Sequence, residues 1–257
     1  MSRWQSTCRM TERLPLPDSD PLARWDDMKL YGPYARTLTR WIHKLLDPLD
    51  FSSVLDVGCG RGHTLQRLLQ RYPQVERVAG IDLSPISLQA ARERVGQGDY
   101  YAMDIQEGSL SERFDLVICT DVIELLLHDT QALINMREMT TRYILVTTLQ
   151  GNFLPEWEVR ISQHVRNYKR GELVTKMQEA GFNIQCCVEW GFPFYSPLYR
   201  RSLNLFRGQG MAGHYGLGRK LLSEAIFRLF YLNTASRGEL IFVVGTPPSN
   251  ETGIGSR

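Results

Sequence analysis

The sequence predicts an α/β protein built on one open, doubly wound, mostly parallel sheet, and three observations carry that reading. Strand-like apolar runs alternate with helical ones along most of the 257 residues. One run, Val54–Val57, enters a turn in which Gly58, Gly60 and Gly62 lie two apart, ahead of the helical stretch HTLQRLLQRY. Acids close or adjoin several strands (Asp56, Asp82 and Asp104), and in open α/β sheets ligands sit outside the carboxyl ends of the strands.

Residues 1–24 are polar, broken by Pro15, Pro17 and Pro21, and read as a flexible arm. From about Trp25 to Leu46 the pattern is helical, with Leu38, Trp41, Ile42 and Leu45 recurring at three and four. Strand one is Ser53–Val57, followed by a helix over about His63–Gln70. Strand two is Arg77–Asp82, and Ser84-Pro85 opens the next helix as an N-cap with proline at its first position. Strand three is short, Asp99–Met103. Strand four is Phe114–Thr120, with helical turns through Glu124 and Thr130–Met139, and strand five is Tyr143–Thr148. A helix over Arg170–Ala180 stops at Gly181 and leads to strand six, Asn183–Glu189. The last strand is Glu239–Gly245, and residues 247–257 read as a disordered tail.

With 43% hydrophobic residues, the chain can bury one substantial core and an appended subdomain. No apolar run approaches membrane-spanning length, and no secretory signal pattern opens the chain, so a cytoplasmic location is expected. The cysteines at 8, 59, 119, 186 and 187 lack metal-type spacing, which predicts no metal site and a reduced compartment. Net charge is +2, but residues 191–238 hold seven Lys or Arg against the single acid Glu224. That asymmetry signals a partner or ligand.

The glycine turn narrows the chemistry. Without a Cβ, a backbone can approach a ligand closely. A dinucleotide fingerprint would place its third glycine at position 63, which is His. An acid before the glycines, Asp56, suits a cationic ammonium group and does not help a pyrophosphate. Asp82 follows Gly60 by 22 residues, about where a Rossmann-type fold sets a carboxylate against ribose hydroxyls. A bare strand-to-helix turn would explain one glycine better than three.

On these residues the chain resembles the class I S-adenosylmethionine (SAM)-dependent methyltransferases over roughly residues 50–190. Within that group it is similar to the small-molecule set that includes the ubiquinone O-methyltransferases. The resemblance implies a Rossmann-like seven-stranded sheet, with RGELIFVVGTP as a reversed last strand filling the gap between strands five and six. It implies that VLDVGCGRG wraps the methionine end of SAM, with Asp56, Gly58, Cys59 and Gly60 against it. Asp82 would accept from the ribose hydroxyls and Leu83 pack on adenine. Asp104 would take the adenine amino group with Ile105 alongside, and Thr120 would offer backbone to the methionine end. The product would be S-adenosylhomocysteine (SAH). Relatives often read D-V-I-E-H in the fourth motif, whereas position 125 here is Leu.

The resemblance divides the chain into a SAM-binding core over 25–190, a cap over 191–238 and a final core strand over 239–246. The link from strand six to strand seven is normally a short hairpin. Its length here predicts helices forming that cap. His164 is the candidate base, because SQHVRNYKRGELVTKMQEAGF matches the pattern in which a His precedes the helix before strand six. A solvated or helix-capping His remains the alternative. The cap's arginines and aromatics fit either a pocket for an anionic or planar acceptor or a subdomain packing its rings on the core. Nucleic acid is disfavoured: CTDV replaces the Pro-Pro-aromatic motif of amino-methylating enzymes, and Cys119 follows Ile rather than Pro. The reading is O-methylation of a small-molecule acceptor, with anionic, saccharide-linked and natural-product molecules as the candidate classes. The alternatives are a non-catalytic SAM-binding module with a protein-interaction cap and a protein- or N-directed methyltransferase.

Overall fold

Seven strands form one sheet in the order β3-β2-β1-β4-β5-β7-β6 in the computed structural model, which describes residues 23–151, 156, 159, 164–205 and 211–248. The strands are β1 Ser53–Val57, β2 Arg77–Asp82, β3 Asp99–Ala102, β4 Phe114–Thr120, β5 Thr140–Leu149, β6 Asn183–Gly191 and β7 Gly238–Thr246. Strands β1 to β5 pair in parallel, while β7 runs antiparallel to both neighbours, β5 and β6. The order reverses at β1, so β1 and β4 diverge to opposite halves and leave a crevice at their carboxyl ends.

Both faces of the central strands are apolar, as a sheet covered on two sides requires. Side chains alternate along β7: Leu240, Phe242 and Val244 join one core, Ile241 and Val243 the other. The first core takes the helices α2 (Pro33–Leu46), α3 (His63–Arg71) and α4 (Pro85–Val95), through Trp41, Leu65 and Leu88. The second takes α5 (Asp129–Met139) and α6 (Glu172–Glu179), through Leu133, Met136, Leu173 and Met177. Trp190 is fully buried in the first core, and Trp190→Ala there should cost roughly 3–5 kcal/mol.

The expected bounds of β1, β2 and β4 coincide with the observed strands, and β5 and β6 run longer than expected. The helix expected from Trp25 to Leu46 is instead two, α1 (Asp26–Tyr31) and α2, parted at Gly32. Pro33 has no N–H to continue a helix and opens a new one well. Gly181 has φ +92, and its N–H bonds the Gln178 carbonyl just beyond α6. Between β6 and β7 lie α7 (Arg200–Leu205) and α8 (Leu217–Leu229), with a further turn over Phe230–Leu232. Most of the expected arm and tail, together with Cys8, Phe206 and Arg207, lie outside the described residues.

Candidate ligand cavity at the carboxyl edge of the sheet

A cavity of about 670 Å³ opens at the carboxyl ends of β1, β2 and β4, a volume in the range of metabolite sites. Its floor begins with the turn after β1. The N–H groups of Gly58 and Cys59 both donate to the Ile81 carbonyl, at 2.7 and 2.9 Å. The Gly60 N–H donates to Asp82 Oδ2 at 2.8 Å. The turn is thereby locked to the end of β2. Gly60 has φ +50, and a Cβ built there would meet no protein atom within 4 Å, so it faces open cavity.

Asp82 is anchored twice, since its Oδ1 also accepts from the Ser84 N–H at 2.9 Å. Helix α4 is capped by Ser84 itself, whose side chain accepts from the Ser87 N–H. Asp82 is therefore not the N-cap, and its carboxylate keeps lone pairs for a ligand. Leu83, 66% exposed, stands beside it on the cavity wall. Asp104 closes the far end, with Oδ1 accepting from the Gln106 N–H at 2.8 Å. Ile105 and Thr120 also line the cavity.

Eight of the nine expected cofactor residues line this cavity, and Asp56 does not. Strand alternation gives the reason: Asp56 shares its face with Val54, beneath the helical layer, and is 1% exposed. Burial, reinforced by Asp82, pushes its carboxyl well above the usual carboxylate range. Its Oδ1 has no hydrogen-bond partner among the described residues.

Helix α1 and the residue before it roof the cavity, with Asp26 and Lys29 from the helix and Trp25 from its N-cap position. The charge cluster that holds this roof carries no signal in the sequence. Asp26 accepts from Arg61 Nε at 3.0 Å and Arg94 Nη2 at 3.0 Å, and its Oδ1 lies 2.8 Å from His63 Nε2. Burial would raise the Asp26 carboxyl, but bonds from His63 and Arg61 bring it below its ordinary value. Burial pushes the His63 imidazole down to about 4, so it is neutral and donates through Nε2.

The wall on the β4 side was also missed. Asp121, at φ +55, lines the cavity one residue past Thr120, and Tyr34 Oη donates to its Oδ1 at 2.6 Å. Burial and Asp121 hold the Tyr34 phenol protonated, its pKa well above the usual tyrosine range. Asp tolerates a left-handed backbone better than most residues, which is the one sequence signal available here.

His164 does not itself line the cavity, although its neighbour Val165 does. Its Nε2 lies 3.7 Å from Glu124 Oε1, and Glu124 Oε2 accepts from Thr148 Oγ1 at 2.8 Å. Burial and Asp121 raise the Glu124 carboxyl to about 8. In the cap, Arg200 is 5% exposed and donates to Glu239 Oε2 of β7 at 2.7 Å. Of the two readings left open for the cap's arginines, Arg200 fits the packed one: it ties the segment between β6 and β7 to the sheet. Tyr195 and Phe230 pack against Trp190, Tyr199 packs against Phe230, and no described residue of 191–238 lines the cavity.

Residues 54–142 match the methyltransferase domain family. Malonyl-[acyl-carrier protein] O-methyltransferase of Acetivibrio thermocellus is 37% identical over 97 residues, which is 35% of this chain and 34% of that protein. Trans-aconitate 2-methyltransferase of Azoarcus sp. is 34% identical over 103 residues, 39% of this chain and 40% of that protein. The match thus spans about a third to two-fifths of these curated relatives. Among solved structures, the N-methyltransferase NodS from Bradyrhizobium japonicum in complex with SAH aligns with a TM-score of 0.56 at 17% identity, covering 90% of this chain and 94% of that one. The [4+2]-cyclase SpnF aligns at 0.55 and 16% identity, covering 83% and 82%. The chain shares its fold with these methyltransferase structures, and its residues 54–142 match the methyltransferase domain family.

Proposed function

We propose that the chain is a SAM-dependent methyltransferase acting on an oxygen of a small-molecule acceptor. One observation carries the reading: the Gly58–Gly62 turn, locked through Gly60 to Asp82, floors a cavity whose far end is Asp104. The residues fit the cofactor. Gly60 leaves space a Cβ would fill, Asp82 has acceptor capacity for ribose hydroxyls, and Leu83 and Ile105 offer apolar surface for adenine. When bound, SAM supplies a sulfonium methyl, an electrophile with a good leaving group. The protein's contribution is then alignment and exclusion of water, with proton removal where the acceptor is a hydroxyl.

Trp25, Asp26 and Lys29 over the turn would shield a bound cofactor from water. On the acceptor side, Asp121 and Tyr34 form a fixed hydrogen-bonded pair, and Lys29 Nζ, 4.0 Å from Asp121 Oδ2, brings a cation to the wall. That cation, and the carboxylic acids named in the two relatives above, support an anionic acceptor. A carboxylate oxygen needs no base. For a hydroxyl acceptor the proposed base is His164, supported by its Glu124 partner and by Val165 reaching the cavity. His164→Asn should then slow hydroxyl acceptors and spare carboxylates.

A fold does not fix a reaction, as the likeness to the [4+2]-cyclase SpnF illustrates. The test is incubation with methyl-labelled SAM and fractionated metabolites. Label in an oxygen-linked methyl product supports the reading. Tight SAH binding without any label transfer would replace it with a non-catalytic SAM-binding module.

A further inference from the structure

The outward face of α8 is apolar. At 3.6 residues per turn, Leu217, Leu221, Leu222, Ala225 and Leu229 share one side, and Leu232 in the following turn extends it. All six are exposed, Leu217 at 75% and Leu222 at 61%. The opposite side is already used: Ser223 and Phe227 are buried, and the Phe230 ring meets Trp190 at 5.5 Å. A helix that is apolar on both sides yet lies at the surface has a face still to be covered. One charge interrupts that face, Arg228, whose Nε donates to Glu224 Oε1 at 2.8 Å.

The surroundings are cationic. Helix α2 carries Arg36, Arg40 and Lys44 and no acid. Residues 211–238 add four Lys or Arg against Glu224 alone. Glu224 is neutralised from both sides, by Arg36 Nη1 at 2.5 Å and by Arg228. The α2 cations stand at the rim of the face, with the Arg40 guanidinium 3.9 Å from the Tyr231 ring centroid and Arg36 3.9 Å from that of Phe227.

We propose that this face docks peripherally on an anionic lipid surface. Leucines flanked by guanidinium groups on the α2 side match such a surface: aliphatic side chains enter the acyl boundary while the cations stay at the phosphates. A two-fold contact between copies would instead set the cationic rim against itself. Among the described residues no helix is long and apolar enough to cross a membrane, so the contact is one of surface docking. Helix α8 is tied by Arg36 to α2, which adjoins the roof helix α1, so the docked face lies a helical layer from the cavity.

The test is co-sedimentation of the full chain with phosphatidylcholine vesicles, with and without phosphatidylglycerol. The protein should partition onto the anionic vesicles and leave them as salt rises. The double variant Leu221→Asp, Leu222→Asp should lower partitioning more than about tenfold, since each leucine withdrawn from water is worth roughly a decade or more. Circular dichroism checks its fold. Leu217→Asp is the second variant, placed at the first helical position, where an acid suits the helix dipole. Wild-type protein left in the supernatant with anionic vesicles overturns the proposal, as does equal binding to neutral ones. A dimer in sedimentation velocity that the double variant dissolves would show that a second copy covers the face.

Discussion

The two walls of the cavity are built by different means. On the β1–β3 side the bonds are short in sequence: Gly60 to Asp82 spans 22 residues, and Ser84 to Asp82 and Gln106 to Asp104 span 2 each. On the roof and the β4 side they are long. Asp26 reaches Arg61, His63 and Arg94 across 35, 37 and 68 residues, and Tyr34 reaches Asp121 across 87. The near wall presents backbone and strand-end carboxylates, which a turn sequence can specify alone. The far wall is a meeting of side chains that only the finished fold brings together. On the proposed function, the near wall would hold the cofactor and the far wall would govern access to it.

The largest expected effect breaks the near wall. A side chain at Gly60 meets no protein atom within 4 Å and so projects into the cavity. Its φ of +50 costs a branched residue on the order of 1–2 kcal/mol, which a folded domain survives. Gly60→Val should thus remove SAH binding in calorimetry while leaving a folded protein. A folded variant with intact affinity would show that the turn is not the ligand's floor.

Asp82→Ala comes next. It removes the anchor for the Gly60 and Ser84 N–H groups and the acceptor offered to a ribose. Hydrogen bonds to a charged group are worth about 1.5–3 kcal/mol each, so SAH affinity should fall by about a hundredfold or more. Asp82→Asn, keeping one acceptor oxygen, should lie between. Equal affinities in all three proteins would detach Asp82 from the ligand.

Asp26→Asn tests the far wall and should do less. It leaves Arg61 and Arg94 facing each other across a weaker acceptor, so the roof opens more readily. SAH should dissociate several-fold faster, with little change in association rate. If its effect matched that of Asp82→Ala, the distinction between the two walls would fail.

The same contrast explains what was legible in the sequence. Strand bounds came through because buried parallel strands are short apolar runs closed by turns, as in Arg77–Asp82. The cavity's glycines and acids came through because each sits at a strand's end. Asp56 did not, because facing is set by alternation from Val54, and the motif alone carries no facing. Asp26 lies in WDD, which reads as the first turn of any helix, and its three partners are scattered over α3, α4 and the glycine turn. The cap's charge count was visible, but not that Arg200 would be buried against Glu239, while the leucines of α8 remain outside.

The smallest expected effect is a pH limb that belongs to the far wall. The folded His63 pKa lies near 4, below its ordinary value of 6.5. A depressed pKa means that the neutral ring contributes stability above pH 6.5, and that this is lost as pH falls through 4. Asp26, also lowered, adds to the same acid limb. Glu124 works in the opposite sense. Its pKa is raised from 4.5 to about 8, so its contribution is present below 4.5 and lost as pH rises through 8. Melting temperature against pH should therefore fall on both sides of a maximum. Glu124→Gln should flatten the alkaline side and His63→Gln the acid side, each by a few degrees, since about 1 kcal/mol moves a chain of this size by roughly 2–4 °C. A His63→Gln profile that keeps the wild-type acid limb would mean that the roof titrates through Asp26 alone, and that His63 only fills space beneath it.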